Sequence, residues 1–408
     1  MSEMSLPTQT PKHARYDVVI IGGAMLGSSA AWFLSNEPSF NGRVLVVERD
    51  PSLKNAATSH TNSCIRQQFS AALNVKISQF GAHFINNLRA HMDGDARVPD
   101  VPIQSTGYLY LADNEAFAQT LRESQAVQRA AGAATALLTA AEIKSAYPFL
   151  AVDDIVLGSL NRVDEGYWDY AAVLDSWRRS AKERGVETIA NEVVAMTKNA
   201  AGTRIESVTL KSGEAIACGH LVNASGTRGA LTSRMAGIEI PVEPRKRFTY
   251  IFSAQKPLET ELPLTIDPTG VHFRQDGKVS YLAGAHASLD PAVDFDDFAM
   301  DHSLWEDKVW PALAARVPQF EAIKLTHCWA GHYDMCTLDQ NAIVGPHTRV
   351  ANFLFLNGFS GHGLQQSPAM GRATAEWIAH GEFRTLDMAP LGYGRIERAE
   401  PFVEKAII

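Results

Sequence analysis

A run of glycines follows the first strongly apolar segment of the chain. That segment, residues 16–21, is rich in β-branched side chains and predicts a strand buried on both faces of a parallel sheet. Glycines after such a strand let the backbone turn tightly and approach a pyrophosphate, whose charge meets the N-terminal amides of the next helix. The turn consists of Gly22, Gly23, Ala24, Met25, Leu26 and Gly27. Because Ala24 replaces the middle glycine of the G-x-G-x-x-G pattern, the motif alone is a weak sign of nucleotide binding.

An acidic residue at the end of the next predicted strand strengthens this interpretation. Residues 28–34 predict a helix and residues 43–48 a second strand, so that Glu48 lies 21 residues after Gly27. A carboxylate in this place can accept hydrogen bonds from both hydroxyls of an adenosine ribose, and it repels a 2′-phosphate. Arg49 weakens that repulsion slightly. The unit predicts a dinucleotide site that is compatible with either NAD or FAD.

The rest of the chain predicts helices and strands in separate blocks. Amphipathic patterns at 77–92 and 115–131 predict helices, and β-rich segments separated by turns fill residues 241–290. Near the end, an apolar strand at 352–356 is followed by a glycine cluster and by a helix predicted for 367–378. Since no internal repeat is visible, two interleaved domains are expected in the 408 residues.

Composition excludes several classes of protein. The 37 basic and 45 acidic side chains give a net charge of −8, which argues against a nucleic-acid binder. No stretch is long and apolar enough for a membrane span, and residues 1–15 lack the apolar segment of a signal peptide, so a cytoplasmic location is expected. The four cysteines have neither the spacing of a metal site nor that of a disulfide framework, and no bound metal is expected.

Five further pieces of sequence combine with the glycine turn and Glu48 into one pattern. They are the hydroxyl-rich loop 58–63, Arg66, Val193, the strand and turn 222–226, and the glycine cluster 358–363. This combination resembles the D-amino-acid oxidase-like superfamily of FAD-dependent amine oxidoreductases, especially its sarcosine oxidase, dimethylglycine dehydrogenase and glycine oxidase branches. The similarity covers nearly the whole chain. It implies an α/β fold, α+β overall, in which a Rossmann-type βαβ domain binds FAD and a second domain, with an antiparallel sheet and helices, binds the substrate.

The resemblance also divides the chain into domains. Residues 14–70, 151–240 and 326–400 are expected to form the FAD-binding domain, residues 71–150 and 241–325 the substrate domain, and residues 1–13 a flexible tail. The cofactor domain is therefore expected to be assembled from segments that lie far apart in sequence.

The resemblance assigns further residues to FAD. Val193 is expected to offer its backbone to the adenine. The glycine cluster is expected to bring backbone donors and the start of a helix to the N1/C2 region of the flavin, which stabilises the reduced form. Gly331 aligns with the cysteine that links the flavin covalently in some relatives, so the FAD is expected to be non-covalent. The remaining cofactor positions are Ser59, Thr61, Asn62, Ser63, Ala224, Ser225, Gly226, Gly358, Gly361, His362, Gly363, Leu364 and Gln365.

On the substrate side, the resemblance implies that Arg66 binds a carboxylate. The fork geometry of a guanidinium suits two parallel hydrogen bonds to such a group. His286, His332 and Tyr250 are candidates for orienting or deprotonating the substrate amine.

Three departures from the sarcosine oxidases bear on the reaction. Ser63 and Gln365 replace basic residues of those enzymes, which favours a larger or more polar N-substituted amino acid, or a non-α-amino acid, over sarcosine. Leu282 replaces a lysine that promotes reaction with oxygen, so the electron acceptor is left open between O₂ and a respiratory or protein acceptor.

The resemblance predicts oxidation of the C–N bond of a small-molecule secondary amine or N-substituted amino acid, by hydride transfer to flavin N5, to an imine that hydrolyses. Two alternatives are a 2-hydroxy acid dehydrogenase on the same fold and a non-catalytic flavoprotein that acts as an assembly or interaction factor.

Overall fold

The computed structural model describes residues 8–287 and 289–405. Its strands are β1 (Arg15–Ile21), β2 (Val44–Glu48), β3 (Cys64–Ile65), β4 (Tyr108–Ala112), β5 (Ala136–Leu138), β6 (Leu157–Asn161), β7 (Gly166–Tyr167), β8 (Glu187–Ala190), β9 (Val193–Lys198), β10 (Ile205–Leu210), β11 (Ala215–Asn223), β12 (Val242–Ala254), β13 (Leu264–Ile266), β14 (His272–Asp276), β15 (Ser280–Ala285), β16 (Ile323–Cys336), β17 (Ile343–Pro346) and β18 (Phe353–Asn357). Its α-helices are α1 (Met25–Ser35), α2 (Ala72–Asn86), α3 (Leu88–His91), α4 (Glu115–Ala130), α5 (Ala140–Ala146), α6 (Tyr170–Glu183), α7 (Gly229–Arg234), α8 (Trp310–Arg316), α9 (Gly363–His380) and α10 (Gly394–Glu397). Short 3-10 or π turns lie at Ala57–His60, Gly226–Arg228, Trp305–Val309, Pro318–Glu321 and Ala389–Leu391.

The first sheet has its strands in the order β17-β18-β11-β1-β2-β8, and β10 and β9 extend it beside β11 by antiparallel pairing. Its centre is parallel, because β1 pairs with β2 on one side and with β11 on the other. Parallel strands are covered on both faces, and the side chains of β1 from Val18 to Ile21 are accordingly buried. Helices α1, α6 and α9 pack together on one face. The carboxyl ends of β1, β2 and β11 therefore meet at one edge of the sheet, where ligands of such folds bind.

The second sheet has the order β16-β12-β15-β14-β13-β4-β6-β5, and its pairs are antiparallel except for β13 with β4. The two longest strands, β12 and β16, pair along most of their length. On one face the fully buried rings of Tyr250, Phe252 and Tyr281 form the centre of an apolar core with α8 and its flanking turns. Side chains on the opposite face of β12, such as Arg247 and Thr249, border the cavity described below.

The chain crosses between the two sheets several times. A two-stranded ribbon of β3 and β7, in which Cys64 lies opposite Tyr167, joins the two halves. The predicted α/β fold and its interleaved segments are confirmed. Strands β6 and β16 pair within the second sheet, although the expected FAD-binding domain includes residues 157–161 and 326–336. The domain boundaries stay a prediction.

The first seven residues of the predicted flexible tail lie outside the described residues. The remainder runs beside β8, where the Gln9 N–H donates to the Ala190 carbonyl oxygen at 2.8 Å and the Asn191 amide donates to the Gln9 carbonyl oxygen at 2.9 Å. Within the described ranges, no helix combines the length and apolar character needed to cross a membrane.

Candidate active site

A cavity of about 330 Å³ lies where the carboxyl ends of the parallel strands face the second sheet. One part of its wall comes from the glycine turn, β2 and the segments near residues 193 and 224–226. The other part comes from the chain after β3 and from β12, β14, β16 and the start of α9. We call these the cofactor end, defined by Gly22 and Glu48, and the substrate end, defined by Arg66 and Tyr333.

The glycine turn requires glycine at two places. Gly22 has a φ of +101°, and a β-carbon on it would lie 2.3 Å from the carbonyl oxygen of Ala224. A β-carbon on Gly27 would lie 1.8 Å from the carbonyl oxygen of Gly22. Because neither overlap can be relieved without moving backbone, these glycines bring the start of α1 against the turn and β11.

Two helices begin at the wall of the cavity, and neither is capped by the residue before it; at α1 the Met25 N–H donates to the Thr58 hydroxyl at a long 3.4 Å. The residue before α1 is Ala24 and the residue before α9 is His362, and neither side chain accepts a hydrogen bond from its helix. The first amides of a helix have no acceptor within it, and the helix dipole adds partial positive charge there. Both ends can therefore bind anionic or carbonyl oxygens. Helix α9 begins at Gly363, four residues earlier than the sequence pattern predicted.

Glu48 is buried at the cofactor end, with 7% of its surface exposed. Its carboxylate accepts hydrogen bonds from the N–H groups of Gly23 at 2.7 Å and Asp50 at 2.8 Å. Burial raises the pKa of Glu48, and the two backbone donors and nearby Arg178 oppose that effect. A carboxylate has about four lone-pair positions, so two remain for ribose hydroxyls.

Arg178, on α6, supports the same turn from behind and was not predicted. Its Nε and Nη2 atoms donate to the carbonyl oxygen of Gly23 at 3.2 and 2.7 Å. Glu48 thus accepts a hydrogen bond from the N–H of Gly23, and Arg178 donates hydrogen bonds to the carbonyl oxygen of the same residue. The two contacting residues are 155 positions apart, and no local pattern marks the arginine.

Most of the predicted cofactor residues border the cavity. They are Gly22, Ala24, Met25, Leu26, Glu48, Arg49, Thr61, Asn62, Val193, Ala224, Ser225, Gly226, Gly331, Gly361, His362, Gly363, Leu364 and Gln365. Gly23, Gly27, Ser59, Ser63 and Gly358 do not. The hydroxyl of Ser63 instead donates to the main-chain oxygen of Trp168, beside the ribbon.

Asp334, on β16, holds the glycine cluster at the cavity. Its carboxylate accepts the N–H of Phe359 at 3.1 Å, and its main-chain oxygen accepts the N–H of Ser360 at 3.1 Å. Burial raises the pKa of Asp334 to about 6. The φ of Gly361 is +91°, and a β-carbon there would lie 2.3 Å from the ring of Tyr333. The cluster therefore packs directly on the strand beside it.

Arg66 borders the substrate end although only 1% of its surface is exposed. Its main-chain N–H donates to Oε1 of Gln365 at 2.8 Å. In its side chain, Nη1 donates to the main-chain oxygen of Gln68, and Nη2 lies 3.0 Å from Nε2 of His362. The guanidinium carbon is 3.9 Å from the ring centre of Phe69. Gln365 thus acts as an acceptor for Arg66, a role that a lysine cannot fill.

The contact with Arg66 fixes the charge state of His362. A guanidinium only donates, so Nε2 of His362 must be the acceptor and the ring must be neutral. Burial and the neighbouring Arg66 lower the pKa of His362 to about 3. The histidine adds no positive charge beside the arginine at neutral pH.

Of the other three predicted catalytic residues, His332 borders the cavity. Its Nε2 lies 2.8 Å from the carbonyl oxygen of Asp297, and its ring stacks on Phe298 at 4.3 Å. Burial lowers the pKa of His332. Since Nε2–H donates to the carbonyl, Nδ1 is the acceptor nitrogen of a neutral ring.

The structure does not bring Tyr250 and His286 to the cavity. The Tyr250 ring is buried in the core of the second sheet, and its hydroxyl donates to the main-chain oxygen of Asp301 at 3.1 Å. Side chains alternate along a strand, so Thr249 takes the cavity face of β12 and Tyr250 the opposite face. His286 follows the end of β15, where its Nδ1 lies 2.8 Å from the carbonyl oxygen of Ala287.

His272 on β14 lines the substrate end and was not predicted. Its Nε2 lies 3.3 Å from the amide nitrogen of Asn62, whose oxygen accepts the Thr249 hydroxyl at 3.0 Å. Burial, followed by the charge of Arg247, lowers the pKa of His272 to about 4, so the ring is neutral. It lies across Gly284, where a β-carbon would be 2.2 Å from its Nε2. Pairing of β14 with β15 sets this position, which no single-strand pattern shows.

Arg247 on β12 is a second arginine at the substrate end. Its two Nη atoms donate to the carboxylate of Asp290 at 2.8 and 3.0 Å. Its guanidinium carbon is 4.8 Å from the ring centre of Tyr333. The replacement of basic residues by Ser63 and Gln365 therefore does not leave Arg66 as the single cation of this region.

A segment rich in aspartate, which we call the acidic strap, runs over residues 289–302. Its acidic members are Asp290, Asp294, Asp296, Asp297 and Asp301. Asp296 lies between Arg49, at 3.7 Å, and Arg228, at 3.1 Å, and both arginines border the cavity. Phe295 packs under Arg228 and lines the cavity as well. The strap thereby closes part of the cofactor end.

These features fit FAD. The cradle at Gly22 and the uncapped start of α1 suit a pyrophosphate, Glu48 suits an adenosine ribose, and the uncapped start of α9 suits the flavin carbonyl groups. In the part of the chain that the structure describes, no group of His, Cys, Asp and Glu residues is arranged to hold a metal ion.

Comparisons with known proteins agree with this geometry. The family model DAO, described as FAD dependent oxidoreductase, matches residues 17–377. FAD-dependent oxidoreductase domain-containing protein 1 of Xenopus laevis is 36% identical over 434 residues, which cover 98% of this chain and 87% of that protein. Mitochondrial sarcosine dehydrogenase of Mus musculus is 25% identical, over 92% of this chain but 41% of its own length.

Two solved structures have the same fold. L-proline dehydrogenase from P. horikoshii superimposes with a TM-score of 0.81 at 24% identity, covering 95% of this chain and 99% of that one. Glycine oxidase from Geobacillus kaustophilus gives a TM-score of 0.77 at 19% identity, covering 93% and 98%.

Proposed function

Because the chain belongs to the DAO family of FAD-dependent oxidoreductases, we propose that it oxidises the C–N bond of a secondary amine or an N-substituted amino acid. The names of its relatives support this class of substrate, since sarcosine and L-proline, which two of them are named for, are secondary amines. The substrate is held at the substrate end of the cavity, beside the start of α9.

The observation that carries the proposal is the placement of Arg66. Arg66 lines the same cavity as the uncapped starts of α1 and α9. Phe69, Gln68 and His362 hold it in one orientation. A guanidinium fixed in this way binds a carboxylate with little further loss of side-chain entropy.

The reaction removes two electrons and two protons from the substrate. The bond from hydrogen to the carbon next to nitrogen breaks, the N–H proton leaves, and a C=N double bond forms; water then splits the imine into a carbonyl compound and an amine. FAD, when bound, supplies flavin N5 as the hydride acceptor.

The side chains of the substrate end favour the neutral amine. His272 and His362 are neutral rings at neutral pH because burial lowers their pKa values to about 4 and about 3. Nδ1 of His332 is available to accept a proton, since Nε2–H donates to Asp297. The proposed role of His332 is to accept the proton of the substrate ammonium group before the C–H bond breaks.

Anaerobic reduction of the purified flavoprotein tests this function. We expect the yellow flavin absorbance to bleach with N-substituted amino acids, and readmission of air then separates an oxidase from a dehydrogenase that needs another acceptor. Bleaching by 2-hydroxy acids alone would show C–OH oxidation instead. Bound FAD that neither class reduces would indicate a non-catalytic role.

A further inference from the structure

Glu165, next to β7, is a fully buried carboxyl group behind the substrate end. Its Oε1 accepts the main-chain N–H of Gln67 at 2.6 Å and the amide of Asn161 at 2.9 Å. Its Oε2 accepts the side-chain amide of Gln68 at 2.9 Å. All three donors are neutral amides. The carboxylate therefore has hydrogen-bond partners, but none of these three partners carries a positive charge that would balance its own.

The same contacts lead directly to Arg66. Gln68 accepts Nη1 of Arg66 on its main-chain oxygen and donates from its side chain to Glu165. Gln67 and Gln68 are 4% and 2% exposed, and their segment forms no regular strand after β3. Glu165 therefore fixes the stretch of backbone that carries the arginine.

We infer that Glu165 is a positioning residue for Arg66 and that its negative charge weakens the binding of anionic substrates there. The inference rests on the proposed function, in which Arg66 binds a substrate carboxylate. Charges inside a protein are screened less than charges in water, so the ionised carboxyl group should weaken anion affinity by about tenfold.

Ionisation of Glu165 makes this effect depend on pH. Burial raises the pKa of Glu165 to about 7. Its three hydrogen bonds and the charge of Arg66 act in the opposite direction and lower the pKa, but their effect is smaller. The other ionisable groups around the Glu165–Arg66 pair are Tyr108, Tyr110, His362, Cys64 and Glu404. Burial raises the pKa values of both tyrosines and lowers that of His362 to about 3, so these three keep their charge state between about pH 6 and about pH 8.

Binding of benzoate to the FAD-loaded protein, followed through the flavin spectrum, tests the inference. In the unmodified protein we expect benzoate affinity to fall about tenfold as pH rises from about 6 to about 8. Glu165→Gln should abolish this dependence and bind benzoate about tenfold more tightly at about pH 8. Glu404→Gln, which removes the other nearby acid, should keep the dependence on pH.

Glu376→Gln is the matched control, because Glu376 is equally buried but lies on α9 outside the cavity lining and pairs with Arg372. It should leave benzoate affinity unchanged at every pH. A pH-independent affinity in the unmodified protein would overturn the inference without any variant. If Arg66→Gln binds benzoate normally, the proposed carboxylate site itself fails; if Arg66→Gln loses benzoate but Glu165→Gln behaves like the unmodified protein, only this inference fails.

Discussion

The two ends of the cavity are lined by different kinds of chemical group. At the cofactor end the contacts come mostly from the main chain, through the turn at Gly22, the first amides of two helices and a carboxylate held by backbone N–H groups. At the substrate end they come from side chains, among them Arg66, Arg247 and His272, which stand on separate elements. Shape therefore controls the first end, and charge controls the second.

Two buried acids show the same contrast. Glu48 faces the cavity and accepts backbone N–H groups. Glu165 lies behind the cavity wall and is held mainly by side-chain amides. Burial raises the pKa of both carboxyl groups, because ionisation is less favourable there than in water. Only Glu48 is placed to bind a ligand directly.

The sharpest test of shape at the cofactor end is Gly27→Ala. Its methyl group would lie 1.8 Å from the oxygen of Gly22, so we expect the purified protein to contain no FAD. The ratio of flavin to protein absorbance measures this. Gly202→Asn is the control, because Gly202 also has positive φ, at +68°, but has open space around it. A Gly27→Ala protein with a full complement of FAD would show that shape does not dominate this end.

Charge at the substrate end is tested by Arg66→Lys. The lysine keeps the charge but loses the fork geometry and the stacking on Phe69, so kcat/KM should fall by about 100-fold with a carboxylate substrate, largely through KM. FAD content should stay normal, as the two ends are distinct. An equal fall with an amine that lacks a carboxylate would contradict the assignment, since that substrate makes no use of the arginine.

The cost of burying Glu165 should be visible in stability. Its folded pKa, about 7, is above its ordinary value of 4.5, so between these values the folded chain keeps a proton that the unfolded chain has lost. The free energy of unfolding should therefore fall as pH rises through this window, by up to about 3 kcal/mol for this group. In denaturant unfolding, Glu165→Gln should flatten that fall relative to Glu376→Gln. Equal slopes in the two variants would place the pH dependence elsewhere.

Glu48→Gln tests whether the cofactor end uses any side-chain charge. One of its two carboxylate oxygens becomes an amide that cannot accept from Gly23 or Asp50, and we expect FAD affinity to fall about tenfold. Fluorescence titration of the protein after removal of FAD measures the affinity. No loss of affinity would mean that backbone contacts alone determine cofactor binding.

The smallest effect is expected at the acidic strap. Asp296 is mostly exposed and its partners Arg49 and Arg228 are partly exposed, so each ion pair is worth less than about 1 kcal/mol and is screened by salt. Asp296→Asn should speed FAD release about two- to threefold at low salt and remove part of the salt dependence of release. Arg234 pairs with Glu239 at 3.0 Å, and since neither residue lines the cavity, Glu239→Gln should leave release unchanged.

The sequence located the walls of the cofactor end because its parts are local. The strand, the glycine turn and Glu48 lie within one βαβ unit, whose spacing is fixed by the size of a dinucleotide. The resemblance to a known family extended this to the distant segments at 193 and 358–365, and the FAD-binding fold is confirmed.

The substrate end was less predictable because it depends on strand register and on long-range contacts. A one-residue difference on β12 decides that Thr249, and not Tyr250, faces the cavity. The pairing of β14 with β15 places His272, and not His286, at the cavity. No local pattern encodes such a choice, since it is made when two strands align.

The order of strands along the chain limits how this protein can change over evolutionary time. Strands of the first sheet come from both before and after those of the second, so no single cut yields one complete sheet. A recombination event inside the gene cannot exchange the substrate half for another while leaving the cofactor half whole. New specificity is therefore expected to arise by point substitution on β12, β14 and β16, and the two halves are inherited as one unit.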